Sequence, residues 1–172
     1  MSRKRVTGMP ALPDAGISAP GIPQPGQGKR GREGYLSYLL RQAGAAARLT
    51  LERSLADVGV TPPQFVALTM LNAYPGISGA DLARLTFLTP QTVGVIVGNL
   101  EKAGAVARQK HPTHGRALQW GLTPKGQKLL AAARARAHAV EGTISSLLPK
   151  GAEPAVRAWL SALATELTKL DD

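Results

Sequence analysis

The sequence predicts a mainly α-helical fold with one small β-hairpin. Residues 78–101 contain two helix starts about eleven residues apart, each with a hydroxyl side chain in the capping position. Residues 105–110 and 116–122 have the composition of strands and flank a polar loop that contains proline and glycine. Longer stretches with apolar residues at helical spacing precede and follow this segment. Two short helices and a hairpin, framed by longer helices, are therefore expected.

The first 33 residues differ in composition from the rest of the chain. They hold five of the thirteen prolines, six glycines and six Lys or Arg residues, without sustained periodicity. Such a segment buries too little apolar surface to offset the entropy lost on ordering. We predict a flexible basic arm over residues 1–33, which either follows DNA phosphates or is dispensable, and a folded domain over residues 34–172.

Two helices are expected before the short pair. Leucine and alanine recur at helical spacing over residues 35–58, which predicts a long amphipathic helix that Gly59 ends. A Thr-x-x-Gln capping box at Thr61 begins the next helix, and residues 74–76, Tyr-Pro-Gly, stop it. Its residues expected to face the core are Phe65, Val66, Leu68 and Leu71.

The short pair of helices reads as a helix-turn-helix. Ser78 caps the first helix and Asp81 completes a capping-box-like pair, while Thr89 caps the second and Pro90 occupies its first turn. The expected apolar face of the first helix is Ala80, Leu82, Ala83 and Leu85. That of the second is Val93, Ile96, Val97 and Leu100. In a helix-turn-helix the second helix enters the DNA major groove. The alternative interpretation is that these two helices are an ordinary pair of core helices.

The hairpin after this pair reads as a wing, and two more helices follow it. Thr123 and Pro124 begin a long helix rich in alanine and leucine, which Pro149 closes. A last helix begins near Glu153. It carries an apolar stripe of Val156, Trp159, Leu160, Leu163, Leu167 and Leu170. This stripe forms either a dimer interface or part of an intramolecular core.

The charge of the chain favours a polyanionic partner. Lys and Arg outnumber Asp and Glu by 21 to 11, for a net charge of +10. We favour the interpretation that this charge binds nucleic acid over the alternative that it is only a solvated basic surface. Between residues 84 and 128 the only acid is Glu101. The basic residues there are Arg84, Lys102, Arg108, Lys110, Arg116, Lys125 and Lys128.

Several classes of protein are disfavoured by what the sequence lacks. It has no cysteine, which excludes disulfides and thiolate metal sites. No apolar run approaches the eighteen or so residues of a membrane span, and no apolar segment follows the basic residues 3–5 as in a secretory signal. We therefore expect a cytoplasmic protein without a membrane partner.

Helix-turn-helix, wing and long helix together resemble the MarR family of winged-helix transcriptional regulators, over about residues 35–170. The resemblance rests on Leu82-Ala83, Thr89-x-x-Thr92-Val93, Leu100-Glu101-Lys102-x-Gly104, Arg116 and Leu122-Thr123-x-x-Gly126. It implies a winged helix-turn-helix over residues 61–122, between dimerisation helices over residues 34–58 and 123–170. It also implies a homodimer that binds a pseudo-palindromic operator in double-stranded DNA and is released by a small aromatic or anionic ligand.

Candidate DNA contacts lie on the second short helix and on the wing. They are Thr89, Gln91, Thr92, Val95, Asn99, Arg108, Lys110, His114 and Arg116. Amide side chains suit adenine and methyl groups suit thymine, but this helix offers no Arg or Lys to read guanine. The resemblance implies a minor-groove role for Arg116, although His114 replaces the acid usual in the family. Relatives often carry Arg at the place of Val95.

The resemblance also implies an effector cleft between the dimerisation helices and the winged helix-turn-helix. Candidate contacts are Tyr38, Gln42, Arg48, Phe65, Thr69 and Tyr74, each of which is otherwise an ordinary surface or core residue. An arginine among apolar walls would suit an anionic ligand.

Neither an enzyme nor a metal or cofactor site is expected. No catalytic constellation stands out, and His111 and His114 are too few ligands for a metal. The alternative function is that of a basic winged-helix protein that binds DNA non-specifically or acts through a protein partner, without an effector.

Overall fold

The computed structural model describes residues 34–110 and 118–169. Its elements are α1 (Leu36–Leu55), a 3-10 turn (Ala56–Val58), α2 (Pro62–Ala73), α3 (Gly79–Thr86), α4 (Pro90–Lys102), β1 (Val106–Lys110), β2 (Leu118–Leu122), α5 (Pro124–Ser146) and α6 (Glu153–Thr168). The predicted fold class, mainly helical with one antiparallel hairpin, is confirmed. No helix in the described part of the chain is long and apolar enough to cross a membrane. The predicted arm over residues 1–33 and the hairpin loop lie outside the described residues.

The chain divides within α1, between Ala43 and Gly44, into two units. The described part of the first unit holds two of the candidate effector contacts. There, Gln42 Nε2 donates a hydrogen bond to Tyr38 Oη at 3.0 Å, and the Arg41 guanidinium lies 5.3 Å from the centre of the Tyr38 ring. Both contacts join residues about one helical turn apart, so they stabilise this part of α1 locally.

The predicted helix starts are confirmed by their hydrogen bonds. At α2, Gln64 N–H donates to Thr61 Oγ1 at 3.4 Å and Thr61 N–H donates to Gln64 Oε1 at 3.0 Å, which completes the capping box. Ser78, Thr89 and Thr123 cap α3, α4 and α5, each accepting the backbone N–H of the residue three positions on. Such a cap is worth about 1 kcal/mol. The starts of these helices are thus determined by neighbouring residues in the sequence.

The core of the second unit joins the helix-turn-helix to the hairpin and to α5. Leu68 from α2, Leu82 from α3, Val97 from α4, Val106 from β1 and Leu130 from α5 are all buried in one cluster. The predicted core face of α4 is confirmed, since its buried residues are Val93, Ile96, Val97 and Leu100. The buried side of α4 therefore leaves the opposite side of the helix free for another function.

Two of the predicted core faces are wrong in part. On α3, Leu82 is buried, but Ala80 is exposed and 44% of Leu85 is exposed. This helix has only eight residues, so one side of its two turns packs on α2 and α4 and the other side stays in solvent. On α2, Ala67 is buried while Val66 is only partly buried.

An ion pair links α5 to the 3-10 turn after α1. Arg136 Nη2 lies 2.6 Å from Asp57 Oδ2 and Arg136 Nε lies 3.0 Å from the same oxygen, while Ser54 Oγ donates to the Arg136 carbonyl oxygen at 3.3 Å. The hydrogen bond from Arg136 lowers the pKa of the Asp57 carboxyl. A folded-state pKa below the unfolded value adds stability that is lost as the pH falls through the folded pKa. The link therefore weakens only in acid.

The last helix packs little of its surface within the single chain. No residue of α6 is buried, and Trp159, Leu160 and Leu167 are 43%, 44% and 53% exposed. The alternative that this stripe belongs to an intramolecular core is therefore wrong for the described residues. Leu170, the last residue of the predicted stripe, lies outside them.

Candidate nucleic-acid interface

The exposed face of α4 is the first part of the candidate interface. Gln91, Thr92, Val95 and Asn99 are all exposed, and 64% of Val95 is accessible to solvent. This face is uncharged up to residue 100. It offers two amide groups and two sets of methyl groups, which suit the adenine and thymine edges in a major groove.

The first turn of α4 is held by a pair of threonines. Thr89 Oγ1 accepts the backbone N–H of Thr92 at 3.2 Å, and the two hydroxyl oxygens lie 2.9 Å apart. Thr89 is thereby a cap that positions the helix, while Thr92 still exposes its side chain. In a helix-turn-helix the N-terminal part of the second helix contacts base edges, so this cap positions the part that would do so.

Two glycines, Gly94 and Gly98, leave part of the outer surface of α4 without side chains. A Cβ added at Gly94 or at Gly98 would meet nothing within 4 Å, so packing inside the chain does not require glycine at either position. Each glycine lowers the stability of a helix by up to about 1 kcal/mol relative to alanine. In return, the backbone of α4 can approach a groove more closely than a helix covered by side chains could.

The hairpin forms the second part of the candidate interface. Its strands pair antiparallel, with Arg108 opposite Trp120. Arg108 Nε lies 3.5 Å from Glu101 Oε1, which ties β1 to the end of α4. Lys110 is the last residue of β1. The two remaining candidates on the wing, His114 and Arg116, lie outside the described residues.

Some of the basic residues near α4 take part in holding the fold. Arg84 Nη2 lies 3.0 Å from Asp81 Oδ1, and Lys125 Nζ donates to the Ala103 carbonyl oxygen at 2.7 Å. Hydrogen bonds from Ser78 and then Arg84 lower the pKa of the Asp81 carboxyl. Both cations were predicted to be part of a basic surface. In the structure, Lys125 also binds the carbonyl oxygen at the C-cap of α4, and Arg84 also pairs with Asp81 within α3.

The candidate effector contacts of the second unit do not converge on one described pocket. Arg48 is exposed and its Nη1 lies 3.2 Å from Glu52 Oε2 on the same helix. Thr69 Oγ1 donates to the Phe65 carbonyl oxygen at 2.8 Å, and Phe65 packs partly against the core. Tyr74 follows α2 and is 54% exposed. Their role as effector contacts stays a prediction.

Comparison with known proteins decides the family. A sequence model of the MarR family matches residues 58–117. The HTH-type transcriptional repressor Rv2887 of Mycobacterium tuberculosis is 36% identical over 131 residues, which cover 76% of this chain and 94% of that protein. The chain belongs to the MarR family.

Two solved structures of the same MarR relative are also similar to this fold. The complex of Rv2887 with salicylic acid has a TM-score of 0.64 at 36% identity, and covers 76% of this chain and 97% of that one. The complex of Rv2887 with DNA has a TM-score of 0.61 at 34% identity, and covers 76% and 98%. The MarR resemblance carried by residues of α3, α4 and the hairpin is confirmed, and with it the class of protein, a transcriptional regulator.

Proposed function

We propose that this MarR-family chain is a dimeric repressor that binds a pseudo-palindromic operator and leaves it when a small aromatic acid binds. The observation that carries the proposal is the exposed, uncharged face of α4, held between a threonine cap and the core beside a basic hairpin. Its relative Rv2887 is a repressor with solved complexes containing DNA and salicylic acid. We place the protein in the cytoplasm, where bacterial operators are.

The apolar surface left exposed by the C-terminal helices supports a homodimer. Leu147 is 80% exposed between α5 and α6, and Trp159, Leu160 and Leu167 follow on α6. A second copy of the chain would cover these side chains around a two-fold axis. Such a dimer would present two copies of α4 to half-sites about one helical turn of DNA apart, which is why the operator would be pseudo-palindromic.

The chemistry of α4 and of the wing suggests a different kind of DNA contact for each. The amides of Gln91 and Asn99 would read adenine in each half-site, and the methyl groups of Thr92 and Val95 would contact thymine. The wing would contact phosphates through Arg108 and its neighbours, which positions the dimer without reading sequence. An effector that binds the DNA-incompetent spacing of the two α4 helices more tightly would shift the population, with a usual coupling of about 1–3 kcal/mol.

Sequence-specific binding is tested by titrating the full chain with two duplexes at increasing salt. One duplex is the DNA upstream of its own gene and the other is the same DNA with its base order scrambled. Phosphate contacts weaken equally on both as salt rises, whereas base contacts do not depend on counterion release. We therefore expect binding to the natural duplex to persist at salt concentrations that abolish binding to the scrambled one. Loss of binding to both at the same salt concentration would favour the non-specific alternative.

The effector proposal is tested by thermal unfolding with salicylate. A ligand that binds only the folded state raises the melting temperature, and an arginine is the natural partner of its carboxylate. The exposed ion pair of Arg48 with Glu52 is weak, so the guanidinium is able to turn towards an acid. We expect salicylate to raise the melting temperature of the wild type and to lose most of this effect on Arg48→Ala. Arg53→Ala, an exposed arginine on the same helix, is the matched control and should respond like the wild type.

A further inference from the structure

The turn between α3 and α4 holds an aromatic residue in a conformation usually taken by glycine. Phe87 has φ 54° and ψ 37°, and it alone among the described non-glycine residues has a positive φ. Its N–H donates to the carbonyl oxygens of Ala83 and Arg84, and Leu88 N–H donates to that of Ala83 at 3.0 Å. These are the hydrogen bonds of a Schellman motif, in which the left-handed position is most often glycine.

Among the residues that the structure describes, none buries the Phe87 side chain in the core. A left-handed conformation costs an L-amino acid free energy that glycine does not lose, and the ring is 72% exposed, so it gains little from burial. The apolar contact that accompanies a Schellman motif is supplied by Leu88, which packs against the core. Glycine would close α3 equally well at lower cost. A strained residue that the fold does not need is a reason to look for a function.

The position of Phe87 indicates what its ring would meet. It lies two residues before Thr89, the cap of α4, and four before Gln91, the first exposed amide of that helix. In a helix-turn-helix this end of the second helix is the end that contacts base edges. A phenylalanine ring cannot pair with a base edge by hydrogen bonds, but it makes apolar contact with the C5-methyl group of thymine.

We propose that Phe87 is a specificity-determining residue that packs its ring against a thymine methyl group in each half-site. The proposal rests on the proposed function, because it needs α4 to sit in a major groove. It adds a contact made by the turn to those made by the helix. It also accounts for a phenylalanine at the left-handed position, since glycine would relieve the strain but remove the contact.

The test pairs a protein variant with a change of one DNA methyl group. Full-length wild type and Phe87→Gly are titrated with operator duplexes in which each thymine is replaced in turn by uracil, which lacks only the C5-methyl. We expect Phe87→Gly to melt at a higher temperature and to bind the natural operator about fourfold more weakly, as for the loss of one buried methyl-sized contact. Uracil at one position per half-site should weaken the wild type but leave Phe87→Gly unchanged. Phe87→Leu, which keeps an apolar side chain, should retain the sensitivity to that position.

Four results would contradict the proposed role of Phe87 or the function on which it rests. Equal affinity of Phe87→Gly and wild type for the operator would overturn the proposal, and so would uracil effects that are the same in both proteins. Elution of Phe87→Gly as a monomer in size-exclusion chromatography would assign the ring to a subunit contact instead and would also overturn it. A wild type that does not prefer its operator over scrambled DNA would be a failure of the proposed function, and the same titrations measure this separately.

Discussion

A Gly126→Ala variant is expected to melt at a temperature about 5–10 °C below the wild type, the scale of an overpacked site in a protein of this size. A Cβ at Gly126 would lie 1.9 Å from the Ala105 carbonyl oxygen and 2.9 Å from the Ala105 carbonyl carbon. These are backbone atoms, so they cannot rotate aside as a flexible side chain would. The clash would push the first turn of α5 away from the start of the hairpin.

The same clash would disturb the hydrogen bonds that join α5 to the end of α4. Thr123 Oγ1 donates to the Gly104 carbonyl oxygen at 2.7 Å, and Thr123 N–H donates to the Ala105 carbonyl oxygen at 3.0 Å. These bonds depend on the close approach that Gly126 permits. Part of the lost stability would therefore come from a weakened cap as well as from steric overlap.

The matched control for this variant is Gly142→Ala on the same helix. A Cβ at Gly142 meets nothing within 4 Å, so alanine there should raise the free energy of unfolding by up to about 1 kcal/mol through helix propensity alone. The melting temperatures of both variants are measured by thermal unfolding, monitored by circular dichroism. If the two variants shifted the melting temperature in the same direction, close packing at Gly126 would not be the cause.

A Gln91→Ala variant is expected to bind the operator about 5- to 150-fold more weakly, the range for loss of a bidentate contact between an amide and adenine. Gln91 is exposed on α4, so its removal should leave the melting temperature nearly unchanged. Non-specific binding at low salt should also persist, because phosphate contacts from the wing remain. Fluorescence anisotropy with operator and scrambled duplexes separates these effects.

The control for Gln91→Ala is Asn72→Ala, which removes an exposed amide from α2 instead of α4. This variant should bind the operator like the wild type. Selection from randomised operators offers a second readout, in which Gln91→Ala should lose base preference at one position of each half-site. Recovery of the wild-type consensus with Gln91→Ala would remove this residue from the list of base contacts.

Local features of the fold were predictable from the sequence because short-range hydrogen bonds produce them. Thr61, Ser78, Thr89 and Thr123 cap the helices they were expected to begin, since each cap needs only a hydroxyl and an N–H three residues later. The four apolar residues of α4 repeat at helical spacing, and all are buried. Four of these residues, Thr89, Val93, Leu100 and Thr123, also belong to the set that carried the resemblance to the MarR family.

Which apolar residues remain exposed was not predictable in the same way. Leu85 fits the apolar pattern of α3 and is nevertheless 44% exposed, because its neighbours in space cover only one side of that short helix. The stripe on α6 fits a core equally well, and none of its described residues is buried. Periodicity shows that a face is apolar, but packing partners decide whether that face is covered within one chain.

The sequence alone determined the class of protein: local capping and apolar spacing predicted a helix-turn-helix with a wing, and motif residues on these elements resembled the MarR family. Only the tertiary structure showed which residues distant in the sequence contact each other and where the backbone is strained. The close approach of Gly126 to Ala105 joins residues that are far apart in the sequence, and the strain at Phe87 appears only when its backbone angles and exposure are known together. The reason is physical, since capping acts between residues close in sequence whereas steric overlap and burial act between residues close in space.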